Sequence, residues 1–186
     1  MWSRALLACG VAMPAIYGLM LAVSCSLNPG FDLLRHEPSE LGRAGAVYPL
    51  IYDTGMVATA AAGLLAAGAL VVAPGTGRGS VWNVCAGATI LLSSVGLAMA
   101  GLFPLPNPLH YGFGLTTAAI LTPLFGAASL RRSGSHRAAA LLLAALALIA
   151  GLVAGGAPPV LPGALMLAAI ACLCWATRRR SYVAAS

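Results

Sequence analysis

The sequence predicts an all-α integral membrane bundle of six transmembrane helices. Three observations carry that prediction: 60% of the residues are hydrophobic, only 8% are charged, and the apolar runs are long enough to cross a bilayer. A soluble globular domain has about a quarter of its residues charged. Mean hydropathy is +0.93, which also excludes a disordered chain, and five Cys in 186 residues are too few for a disulfide scaffold. The length suits one domain covering residues 1–186.

The spans follow in order near Ala5–Leu27, Tyr48–Ala73, Val81–Phe103, His110–Leu130, Ala138–Gly155 and Val160–Thr177. Each can cross about 30 Å of hydrocarbon as a helix, which satisfies every backbone group within its own segment. Between spans two and six the breaks are short: Gly75–Ser80, Pro104–Leu109, Arg131–Arg137 and Gly156–Pro159. Pro14 and Pro123 fall inside the first and fourth spans and are expected to kink them. The first span follows Arg4 as a signal peptide would, but its apolar run is longer than a signal core, so it is read as a retained helix. The fifth span has no polar side chain and reads as scaffold, facing lipid or plugging a helix seam. Glycines such as Gly63, Gly87, Gly96 and Gly101 allow close helix packing. The cysteines read as small apolar packing residues.

Orientation follows from the basic residues, all ten of which are Arg. Threading six spans puts Arg4, Arg78, Arg131, Arg132, Arg137 and Arg178–Arg180 on one side, with Arg35 and Arg43 on the other. Both termini are therefore expected in the cytoplasm, in a multi-pass protein of the cell inner (plasma) membrane. Trp2, Trp82 and Trp175 lie at the same end as the Arg clusters. The basic clusters lack interleaved aromatics, so no nucleic-acid partner is expected from the +6 net charge.

The unusual side chains gather at the opposite end. The first extracytoplasmic loop, Asn28–Val47, is far longer than a helix hairpin needs, and Phe31, Leu33, Leu34 and Leu41 suit docking on the bundle as a lid. Within it, Pro38 to Gly42 reads as one helical turn with Pro at its start and Gly at its stop. Asp53 is the only carboxylate inside a span, roughly 7 Å below the helix end at about 1.5 Å per residue. Such a group is expected to face the bundle interior with a partner, for which Arg35, Arg43, His110, Tyr17 and Tyr52 are candidates. The Pro-rich stretch Pro104–Tyr111 delivers His110 and Tyr111 to the same depth.

Asp53, Glu40 and His110 are therefore the catalytic candidates. Arg35, His36, Glu37, Arg43, Tyr17, Tyr52, Asn107 and Tyr111 are the candidates for binding a ligand. Plainer structural roles compete. Asp32–Arg35 and Glu40–Arg43 have the spacing of local ion pairs, Asp53 suits a staple to Arg43 or to backbone amides, and His110 suits a helix-end hydrogen bond. Thr116, Thr117, Ser93 and Ser94 suit back-bonding within their helices. His36 and Glu40 are spaced like two metal ligands on one helix face, with Asp53 and His110 able to complete a set. Pro38 opposes this by starting the turn after His36, so no metal and no cofactor is assigned.

At RHEPSELGRAG (Arg35–Gly45), the Asp53-bearing span and GLFPLPNPLHYGFGL (Gly101–Leu115), the sequence resembles an uncharacterised family of small bacterial six-span membrane proteins, a domain of unknown function. That family is in turn distantly similar to the Frag/DRAM/Sfk group of eukaryotic membrane proteins, associated with lipid organisation and lipid-anchor remodelling. The resemblance covers essentially the whole chain and rests on Ser39, Leu41 and Gly42, and on Gly101, Phe103, Pro104 and His110. It implies a six-helix fold and a membrane location, and no established reaction.

The function expected is binding of a membrane lipid or isoprenoid-like small molecule in a polar Asp/Glu/His/Arg site under the lid, non-catalytic or accessory. The alternative is a membrane-embedded enzyme doing acid/base chemistry on such a substrate, with Asp53, Glu40 and His110 as its catalytic groups. A transporter is disfavoured because few polar groups line the middle of the bundle. Oligomeric state has no signature in the sequence.

Overall fold

The computed structural model describes residues 2–72 and 80–183, which leaves Arg78 outside the described residues. Within them the chain is all helical, with no strand, and six helices are long and apolar enough to cross a membrane. These are α1 (Trp2–Leu27), α2 (Pro49–Val72), α3 (Ser80–Leu102), a composite fourth span, α5 (His136–Ala154) and α6 (Val160–Val183). The fourth span is a 3-10 segment, Pro108–Leu121, running into α4 (Thr122–Arg132).

Helices α1, α2, α3, α4 and α6 form a closed ring of neighbours, and α5 lies outside it in the groove between α4 and α6. The fifth span is also the least buried of the six, as expected for a helix that plugs a seam and otherwise faces apolar surroundings. The core of the ring holds Leu7, Met13, Leu70, Ile90, Leu130 and Leu173, with Ala66, Ala67 and Ala86 at the close crossings. Polar side chains tie neighbouring helices where lipid could not solvate them. Thr89 of α3 meets Thr122 of α4 at 2.8 Å, and Ser129 of α4 donates to Asn83 of α3. Arg132 lies over the Trp82 ring at 5.6 Å and Arg179 over Trp175 at 4.4 Å, so Arg and Trp share one end of the bundle.

The fourth span corrects one expectation. Pro123 does not kink a helix; it sits in the first turn of α4, where its missing N–H costs nothing. The break lies earlier, at Gly112, Phe113 and Gly114, whose φ values of 52°, 53° and 75° form a left-handed step. Glycine adopts that region without a Cβ penalty, and Gly112 comes to rest on Gly96 of α3, where an added Cβ would lie 3.0 Å from its Cα. On either side of this step the 3-10 turns rise about 2.0 Å per residue against about 1.5 Å in an α-helix, so each stretch is longer and thinner than the same residues in an α-helix. The segment packs on α3, and α6 meets the fourth span chiefly along α4, further down. By contrast, α1 continues unbroken through Pro14.

Candidate functional site

The 28–47 loop is closed by Asn28, a residue that hydropathy patterning passes over. Its side-chain amide donates to Ser24 O at 2.8 Å and Val47 O at 3.2 Å, and its Oδ1 accepts from the Val47 amide at 2.8 Å. The clamp joins the end of α1 to the approach to α2. Between them Pro38–Gly42 forms the expected turn, in 3-10 form, with Pro38, Leu41 and Gly42 buried. Leu41 packs in a cluster with Met20, Leu21, Tyr52, Met56 and Ala100.

Under this turn lies Asp53, 8% exposed, with an Oδ1 that has no hydrogen-bond partner. Gly42 rests directly on that oxygen; a Cβ there would collide with Oδ1 and reach Tyr52 Cδ1 at 2.8 Å. From the other side Gly101 of α3 rests on the Asp53 carbonyl, where an added Cβ would lie at 2.6 Å. The two glycines make the depth of Asp53 possible, since any larger residue would hold the turn or α3 away. Neither expected basic partner reaches it. Arg43 is exposed, and Arg35 pairs with Asp32 at 3.4 Å, the only ion pair among the described residues. The local pair expected of Glu40 and Arg43 does not form there.

Beside Asp53 a cavity of about 400 Å³ opens at the loop end of the ring. Tyr17 of α1, Tyr52 and Met56 of α2, Ala100 of α3, and His110, Tyr111, Thr116 and Thr117 of the fourth span line it. Pro159, Pro162, Gly163 and Met166 close the α6 side, and Glu37, Pro38 and Ser39 form its rim from the loop. Asp53 and Glu40 are not among its lining residues. His110 is 4% exposed, and its Nδ1 lies 3.1 Å from Phe103 O. A carbonyl only accepts, so Nδ1 carries a proton, and in the neutral tautomer Nε2 is an acceptor. Tyr111 stands edge-on to the imidazole with centroids 5.3 Å apart.

The remaining candidates do local work. His36 Nδ1 accepts the Asp32 amide at 3.0 Å, and its ring lies 5.2 Å from Phe31, so it faces its own loop. Asn107 caps the 3-10 segment by accepting the Leu109 amide at 2.9 Å. Among the described residues no three His, Cys, Asp or Glu side chains gather as a metal would need. Of the hydroxyl residues, Ser93 and Thr117 back-bond to Ile90 O and Gly114 O at 3.0 and 2.6 Å, while Ser94 Oγ is buried against Gly63 without a partner. The α6 wall of the cavity was not singled out from the sequence. Its only signal there is the Pro158–Gly163 interruption of an apolar run.

A six-span helical bundle with a cavity at one end of its ring of helices is the architecture of a multi-pass membrane protein. The chain belongs to the family described as protein of unknown function, DUF998, whose model matches residues 7–178. No curated protein and no solved structure matches it.

Proposed function

We propose that the protein is a non-catalytic or accessory protein of a bacterial inner membrane that holds a lipid or isoprenoid-like molecule in the cavity at its loop end. In this reading the Arg-rich end and both termini face the cytoplasm, and Asn28–Val47 is an extracytoplasmic lid. The observation that carries it is the cavity itself. Its volume falls within the roughly 300–1,000 Å³ usual for ligand pockets, and a few polar groups stand on largely apolar walls. That volume suits a head group and its first methylenes. The sparse packing between the 3-10 segment and α6 leaves room for a tail to continue into the bilayer. The position of Asp53, outside the cavity and under Gly42, favours binding over acid/base catalysis, because a general acid must reach the reacting atom.

The test is retention of a lipophile. A Cβ added at Gly163 meets nothing within 4 Å, so a side chain can start there freely, and Gly163→Trp puts an indole at the cavity wall. Protein purified in a neutral detergent should carry a lipophile identifiable by mass spectrometry, and Gly163→Trp should lose it while keeping its unfolding midpoint. Equal lipophile content in the two proteins, or none in either, overturns the proposal.

A further inference from the structure

We infer that the cavity selects an amphiphile with a positively charged ammonium head, a specificity that rests on the lipophile-binding reading above. The polar groups on its wall are acceptors, aromatic rings and hydroxyls, with no cation among them. Glu37 brings a carboxylate to the rim, and His110 lines the wall with Nδ1 turned to Phe103 O, which leaves Nε2 of the neutral tautomer to accept. Tyr17, Tyr52 and Tyr111 add three rings, and Glu37 and Tyr17 lie within electrostatic range of the Tyr52 hydroxyl.

The two arginines of the loop are turned outward: Arg43 is exposed and Arg35 is spent on Asp32. This decides the sign of the ligand. A phosphate head would face Glu37 with no basic side chain on the wall to offset it. A neutral head can hydrogen-bond the carboxylate but leaves its charge unbalanced. An ammonium head donates N–H bonds to Glu37 and to His110 Nε2 while its charge rests against tyrosine faces, an arrangement that attracts cations. Glu37 is itself exposed, so solvent screening holds its share to a modest factor.

The measurement is native mass spectrometry of the full chain released from neutral maltoside micelles. The probes are dodecylammonium, monododecanoyl glycerol and dodecyl phosphate, which share a chain length and differ in head charge. Dodecylammonium should bind about tenfold more tightly than the other two, Glu37→Gln should cut that preference by roughly twofold to fivefold, and Tyr111→Leu should weaken it by roughly threefold to tenfold. Both side chains are exposed, so the unfolding midpoints should hold. Equal or tighter binding of the phosphate or the glyceride, or a preference undiminished in Glu37→Gln, overturns the ammonium specificity and leaves lipophile binding intact. Failure of all three probes to bind, or binding that Gly163→Trp leaves unchanged, overturns both.

Discussion

Replacing Gly42 by alanine tests how the Pro38–Gly42 turn is held on the bundle. The new Cβ would collide with Asp53 Oδ1 and stand 2.8 Å from Tyr52 Cδ1. Asp53 is short and Tyr52 is 2% exposed, so neither can swing aside freely. Overpacking of this kind costs about 1–3 kcal/mol. What seats the turn is chiefly the burial of Leu41, 1% exposed and worth about 1.5–3 kcal/mol. The two terms are of one size, so the turn should lift rather than α2 distort. Its amides then exchange faster. The Glu40 and Arg43 N–H groups, bonded to Glu37 O and Glu40 O at 3.0 and 3.1 Å, report this directly. Hydrogen exchange read by mass spectrometry over residues 37–43 should accelerate roughly 5- to 100-fold, following a factor of ten per about 1.4 kcal/mol. Adding Asp53→Ala should recover part of the protection by removing one of the two colliding atoms, and Asp53→Ala alone should not lower the unfolding midpoint, because its Oδ1 has no bond to lose. Parental exchange rates in Gly42→Ala would refute the close seating of the turn on Asp53.

Two further substitutions probe how the bundle and loop are tied. Thr89 Oγ1 donates to Ala86 O at 2.8 Å and so accepts from Thr122; Thr89→Val would leave the fully buried Thr122 hydroxyl without its partner. Thermal unfolding in detergent should show a loss of about 1 kcal/mol, and Thr89→Val/Thr122→Val should cost less than the sum of its singles. Asn28→Ala removes the contacts to Ser24 and Val47 together and should cost about 1–3 kcal/mol of loop closure, seen as faster exchange at the Val47 amide with α5 and α6 unchanged.

The sequence by itself determined the architecture. Six apolar runs fix six spans because hydrocarbon leaves the backbone no other way to satisfy its hydrogen bonds, and that constraint acts on each segment alone. The Pro38-to-Gly42 turn was legible for a similar reason: proline and glycine set backbone geometry locally. The fourth span shows where local reading stops. Its Pro123 could start a helix or kink one, and the left-handed step at Gly112–Gly114, packed on Gly96 of α3, decided which. The site divides in the same way. Composition gathered the rare polar residues at one end, and their depth along each helix was readable from spacing. Rotation about the helix axes and the seating of the loop were not, and these put His110, Tyr17, Tyr52 and Glu37 on a cavity while Gly42 covered Asp53 and Arg35 and Arg43 turned outward. Which residues face one another depends on how distant segments pack, and a close approach such as Gly42 on Asp53 exists only when both segments are in place.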